Sequence, residues 1–123
     1  MRIFKNKVFV RFAKKSGISD AALCKAIKEA EKGLVDADLG GGVIKKRVAR
    51  EGQGKSGGFR TIILFKTGTR AFFAYGFAKN ERDNIDNDEL TEFKRLAEKM
   101  LNYSDSELGH AINKSILTEV NYE

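Results

Sequence analysis

Apolar positions along the chain fall into two kinds of run. Between Ser19 and Lys32 they recur at helical spacing, so that Ala22, Leu23, Ala26, Ile27 and Ala30 share one face. Ser19 or Asp20 is placed to cap this helix and Gly33 to end it. Glu89–Asn102 repeats the pattern with Leu90, Phe93, Leu96, Ala97, Met100 and Leu101, and Asp88 stands as its cap. Ser104-Asp105-Ser106-Glu107 spells a capping box and opens a further helix carrying Leu108, Ala111, Ile112 and Ile116. The other runs are short and continuous. Ile62-Ile63-Leu64-Phe65 and Ala71-Phe72-Phe73-Ala74 flank Thr67-Gly68-Thr69. That arrangement predicts a hairpin, Phe59–Lys66 with Arg70–Ala78, whose strands are buried on both faces.

The remaining segments are weaker. Arg2–Lys5 alternates and suits a strand. Lys7–Lys15 admits two readings: Val8, Val10 and Phe12 fit a strand, and Val8, Phe9, Phe12 and Ala13 fit a helix face. Its β-branched and aromatic content leans to strand. Leu34–Gly42 is acidic, then glycine-rich, and predicts a plain connection. Val43–Arg50 predicts a strand with a basic middle. Glu51–Gly58 has four glycines in eight residues and predicts a loop. Thr118–Tyr122 fits a short strand or a loose tail. Together these elements predict an α+β fold, with one antiparallel sheet and helices on one side of it.

Composition adds bounds. At 123 residues the chain suits a single domain spanning 1–123 with one core. Hydrophobic residues make up 41% and charged residues 33%, which is a folding composition. No apolar run approaches the roughly 20 residues of a membrane helix, and no membrane partner is expected. The first residues contain no secretory apolar region, and Cys24 is the only cysteine, so a cytoplasmic location is expected. Cys24 sits one position off its helix face and reads as a packing residue. One His and one Cys cannot build a zinc site.

The distribution of charge is more informative than its net of +6. Met1–Lys15 carries six basic residues and no acid, and Val43–Arg82 carries ten basic and two acidic residues. The flanking segments are net acidic. A concentrated basic face is the footprint of phosphate binding, set against the plainer reading of an unevenly charged surface.

Within that basic stretch, Gly52–Gly58 contains a Lys-Ser pair after a glycine but lacks the glycine spacing and the following helix of a triphosphate loop. Arg60 follows it at the start of a buried strand. There it can hold an RNA phosphate bidentately or pair structurally with Glu81 or Asp83. Lys79-Asn80-Glu81-Arg82-Asp83-Asn84 follows the second hairpin strand, so hairpin geometry places its start near Arg60. Glu81, Asp83 and Asp86 do not guarantee the close oxygen cluster a metal needs, and no metal or cofactor is expected. His110 lies on the last helix, remote from this region.

With these residues in view, the chain resembles toxins of the RelE/ParE superfamily from bacterial toxin–antitoxin pairs, nearest the HigB-like and short RelE-type branch. The motifs carrying the resemblance are "GKSGGFRTIILF" and "FFAYGFAKNERDNI", with "SDAALCKAIKEAEKGLVDADLGGGVIKKRVA" matching the same short pattern. The resemblance implies a RelE-like order β-α-α-β-β-β-α-α, with two N-terminal helices packed on a central antiparallel sheet, and therefore a helix at Lys7–Lys15. It implies metal-free endoribonuclease activity on mRNA at the ribosome, by 2′-hydroxyl attack on the adjacent phosphate. It carries Arg60 over as the catalytic arginine, and Lys79 and Arg82 as basic partners. Lys45, Lys46, Arg47, Arg50 and Lys55 are candidates for RNA contact. The chain departs from the family prototype at two site positions, with Asn80 for an arginine and Asp86 for a tyrosine. The implied protein partner is an antitoxin of helix-turn-helix type that covers the basic face or displaces the last helix. Two other readings stay open: a ParE-like inhibitor of gyrase, and a nucleic-acid-binding relative that does not cleave.

Overall fold

The computed structural model describes residues 1–50 and 54–121, and of residues 50 and 54–57 the backbone alone. The elements run β1 (Arg2–Asn6), α1 (Lys7–Ser16), α2 (Asp20–Glu31), β2 (Ala37–Gly40), β3 (Val43–Arg50), β4 (Gly54–Lys66), β5 (Arg70–Ala78), α3 (Asn87–Met100), α4 (Asp105–Asn113) and β6 (Leu117–Glu119). The fold is α+β and RelE-like, with a six-stranded sheet in the order β2-β3-β4-β5-β1-β6.

Several expectations are corrected. The sheet is mixed, because β1 lies parallel to β5, with Arg2 opposite Arg70 and Phe4 opposite Phe72. The helices cover both faces rather than one. Adjacent residues on each central strand enter different cores: Ile3, Ile44, Ile63 and Phe73 pack with α1 and α2, and Phe4, Val43, Leu64 and Phe72 pack with α3 and α4. That alternation follows from the pleat, and it explains why the hairpin strands are apolar without interruption. Leu34–Gly42 contains the edge strand β2, and Gly54–Gly58 is strand rather than loop.

Lys7–Lys15 is helical, against its composition. Asn6 caps α1 by accepting from the Phe9 amide, and Gly17 closes it in the left-handed region at φ 69°. Amphipathic packing decides the case, since Phe9 and Ala13 are buried. Ser19 caps α2, and Ser104 with Glu107 forms the predicted capping box of α4. The cap of α3 is Asp86, not Asp88, and Glu89 completes a second capping box.

Two irregularities shape the far end of the sheet. Counted from Lys66 opposite Arg70, the β4–β5 register holds to Ile63 opposite Phe73 and then slips, so that Ile62 faces Tyr75 and Ala74 is left over. The bulge places Arg60 opposite Phe77. A second shift lies between Val48 and Arg50 of β3. Beside it, a Cβ on Gly58 would stand 2.3 Å from the Val48 carbonyl oxygen, so only glycine fits.

Candidate functional site

Around β3 and the start of the hairpin, the sheet presents a basic cleft of about 570 Å³. It is lined by Asp36, Lys45, Lys46, Arg47, Arg60, Lys79 and Asp83. β3 supplies Lys45, Lys46 and Arg47, and β4 supplies Arg60 directly opposite Arg47. Phe59 pairs with Ala78, so the turn that leaves β5 brings Lys79 to the same place. The hairpin therefore brings Lys79 beside Arg60, as its geometry predicted.

The cations of this cleft are not equivalent. Arg60 is only 8% exposed. Its Nε lies 3.8 Å from a carboxylate oxygen of Asp36, and its Nη1 is buried without a hydrogen-bond partner. Arg47 Nε is 3.6 Å from the same oxygen and likewise lacks a partner. Neither Glu81 nor Asp83 pairs with Arg60 among the described residues; the nearby acid is Asp36. Lys46 lines the floor of the cleft with its ammonium already engaged, 2.9 Å from Glu29 and 2.7 Å from the Leu34 carbonyl it donates to. Lys79 is exposed and Lys45 half-buried. The side chains of Arg50 and Lys55 lie outside the described residues.

Arg82 does not share the cleft of Arg60 and Lys79. It borders a neighbouring hollow of about 430 Å³ whose lining includes Phe12, Phe59, Tyr75, Phe77 and Asn80. Its guanidinium is fully used. Nη1 donates to Tyr75 Oη and to Glu89 Oε2 at 3.1 Å each, Nη2 donates to Glu89 Oε1, and Nε donates to the Asn84 carbonyl at 3.0 Å. It also sits over the Tyr75 and Phe77 rings, 5.7 Å and 5.6 Å from their centroids. The hydrogen bond to Glu89, then that to Tyr75, push its pKa up. The Arg82 guanidinium, and secondarily the Asp86 amide, hold the Glu89 carboxyl below its ordinary value. Glu89 thus fastens the β5 exit turn to the first turn of α3.

The two departure positions differ in situation. Asn80 is exposed on the rim of the second hollow. Asp86 is occupied as a helix cap, its Oδ1 accepting from the Glu89 amide at 2.8 Å. His110 is exposed on α4. Cys24 is buried, and burial first of all pushes its thiol pKa up, which opposes reactivity.

Asp36 is the site residue that sequence reasoning missed. It comes from the segment before β2, distant in the chain from the hairpin. The only available signal was an acid preceding a short alternating run, Ala37-Asp38-Leu39.

Among the described residues, no helix is long and apolar enough to cross a membrane. No curated protein matches the chain. A family model described as the RelE toxin of the RelE/RelB toxin–antitoxin system matches residues 1–120. With that match across nearly its whole length, and with a RelE-like α+β fold beneath it, the chain belongs to the RelE family and is a toxin of a toxin–antitoxin system, with a RelB-type antitoxin as its partner.

Proposed function

We propose that this toxin is a metal-independent mRNA endoribonuclease that acts on the ribosome, and that the basic cleft holds the scissile phosphate. The observation that carries the reading is Arg60: a nearly buried guanidinium with an unmet N–H, at the head of a cleft rich in cations. A buried donor without a partner is costly, and an oxyanion is the ligand that would satisfy it. In this reading Arg60 binds the phosphate and stabilises the charge that builds as the 2′-oxygen, losing its proton to water, bonds to phosphorus and the bond to the 5′-oxygen breaks, leaving a cyclic phosphate and a 5′-hydroxyl end. Lys79 adds charge from the exit turn and, in this reading, gives a proton to the departing 5′-oxygen. Lys45 and Arg47 steer the RNA backbone into place, and Arg50 and Lys55 are further candidates for RNA contact. Arg82 acts as a support that fixes the turn bearing Lys79, through Glu89. The antitoxin, of helix-turn-helix type, blocks the toxin by covering this face.

The test is induced expression of wild type and Arg60→Ala, with primer extension on cellular mRNA and circular dichroism on both purified proteins. New 5′ ends inside translated regions, with wild type only and with both proteins folded, are the expected result. Growth arrest with intact mRNA would point instead to a gyrase inhibitor, which a supercoiling assay would detect. RNA binding without arrest or cleavage would leave a non-cleaving relative. Cleavage retained by Arg60→Ala would remove Arg60 from the site.

A further inference from the structure

The structure contains two arginine–carboxylate arrangements near the same end of the sheet, and they are built differently. Glu89 meets Arg82 with both oxygens and leaves its donors satisfied. Asp36 faces two guanidiniums and saturates neither. Its Oδ2 stands 3.6 Å from Arg47 Nε and 3.8 Å from Arg60 Nε, too far for a hydrogen bond, and each arginine keeps a buried nitrogen without a partner. Yet Asp36 is firmly placed. Its amide donates to the Lys45 carbonyl at 2.9 Å, and its Oδ1 accepts from the Arg47 amide at 3.3 Å. The backbone of β3 therefore fixes the acid, and the guanidiniums do not.

Arg47 and Arg60 are also direct cross-strand partners. Like charges in that relation repel each other, and a carboxylate beside both offsets the repulsion. We propose that Asp36 is the built-in counter-ion of the phosphate site: a positioning residue that keeps Arg47 and Arg60 side by side while the site is empty, and yields them to an RNA phosphate. A phosphate offers more acceptor oxygens than Asp36 brings to bear, and both Arg47 and Arg60 line the cleft it would enter. Asp36 then sets a threshold. It weakens RNA binding by its charge and keeps the cleft from holding anions loosely. This inference rests on the proposed function.

The experiment uses the full chain and an RNA oligonucleotide methylated at every 2′-hydroxyl, so that it binds without being cleaved. Affinity is measured against salt concentration for wild type, Asp36→Asn, Asp36→Ala and Asp36→Glu, with thermal melts alongside. Asp36→Asn and Asp36→Ala are expected to bind about three- to tenfold more tightly at low salt, through the loss of one neighbouring like-charged group. Their salt dependence should steepen by roughly one phosphate contact, and Asp36→Glu should keep the wild-type slope. A residue with a merely structural role would lower the melting temperature and weaken binding instead. Unchanged or weaker binding by folded Asp36→Asn, where wild type does bind, overturns the counter-ion proposal and leaves the ribonuclease reading standing. Failure of folded wild type to bind the oligonucleotide likewise overturns the counter-ion proposal, while the ribosome-linked ribonuclease reading is decided by the primer-extension test.

Discussion

The side-chain amide of Asn6 donates to the carbonyl of Ala74 at 2.9 Å, while its oxygen accepts from the Phe9 amide at 2.8 Å. One residue thus caps α1 and clasps the bulged residue of β5. The bulge decides what stands beside Arg60, so the clasp connects the N-terminal helix to the basic cleft through the register of the hairpin.

Asn6→Ala removes the cap and strands a carbonyl. The expected cost is about 2–3 kcal/mol, as the sum of a lost cap and a lost side-chain hydrogen bond. Asn6→Asp keeps the cap but turns the donor into an acceptor facing the Ala74 carbonyl, so it should cost about 1–2 kcal/mol. Urea denaturation of the three proteins checks the order. No loss in Asn6→Asp would deny the clasp any contribution, and equal losses in both variants would deny one to the cap.

Gly58 and Gly76 both lack room for a Cβ, for different reasons. At Gly76 the added carbon would meet the Phe12 ring at 2.3 Å; at Gly58 it would meet the Val48 carbonyl oxygen at 2.3 Å. A half-buried ring can swing aside, and backbone cannot. Gly76→Ala should cost about 1–3 kcal/mol and recover in part when combined with Phe12→Leu. Gly58→Ala should cost more, with no side-chain suppressor. Thermal melts of the single and double variants test both statements.

Lys45 and Lys46 are neighbours in sequence and opposites in role. Lys46 is 4% exposed and paired with Glu29. Lys46→Met should destabilise the fold by about 1–3 kcal/mol, because it takes the ammonium away from both Glu29 and the Leu34 carbonyl. Lys45→Ala should leave the melting temperature within error and lower the salt slope of RNA binding by about one. The reverse pattern would exchange the two assignments.

Acid should loosen the turn that carries Lys79. The Glu89 carboxyl lies below its ordinary value chiefly because of Arg82. A carboxylate with a depressed folded-state pKa stabilises fully above its unfolded pKa, and that stabilisation fades as pH falls through the folded value. Urea midpoints should therefore decline below about pH 4.5, the region of an ordinary glutamate. Glu119, held low by Arg2, and Glu107, held low by the Ser104 amide and hydroxyl, share the trend. Glu89→Gln should make the decline shallower. A variant whose profile parallels wild type would separate Glu89 from the acid response.

Elements with strong periodicity were legible before the structure: α2, α3, α4 and the β4–β5 hairpin. The proximity of Arg60 and Lys79 followed from counting across that hairpin. What escaped was set by tertiary packing or by small residues. α1 reads as a strand because Val8, Phe9, Val10 and Phe12 favour one, and only its caps and its burial against the sheet reverse that preference. β2 hides in Asp and Gly, residues that usually mark a turn. The bulge falls on an alanine, which carries no signal. The antiparallel expectation failed because β1 pairs with a strand far along the chain, which local pattern does not record. Asp36 was invisible for the same reason as β2, and the Arg82–Glu89 pair because Glu89 belongs to the next helix.

The position of β1 also has a kinetic consequence. β3, β4 and β5 are joined by short connections and can pair early from local contacts. β1 must then enter between β5 and β6, with Arg2 reaching Arg70 on one side and Phe4 reaching Glu119 on the other. Closing so large a loop is entropically expensive and pays back only when both neighbours are in place. The cleft end of the sheet is therefore expected to order first on refolding, with docking of β1 between its two distant partners as the slow step.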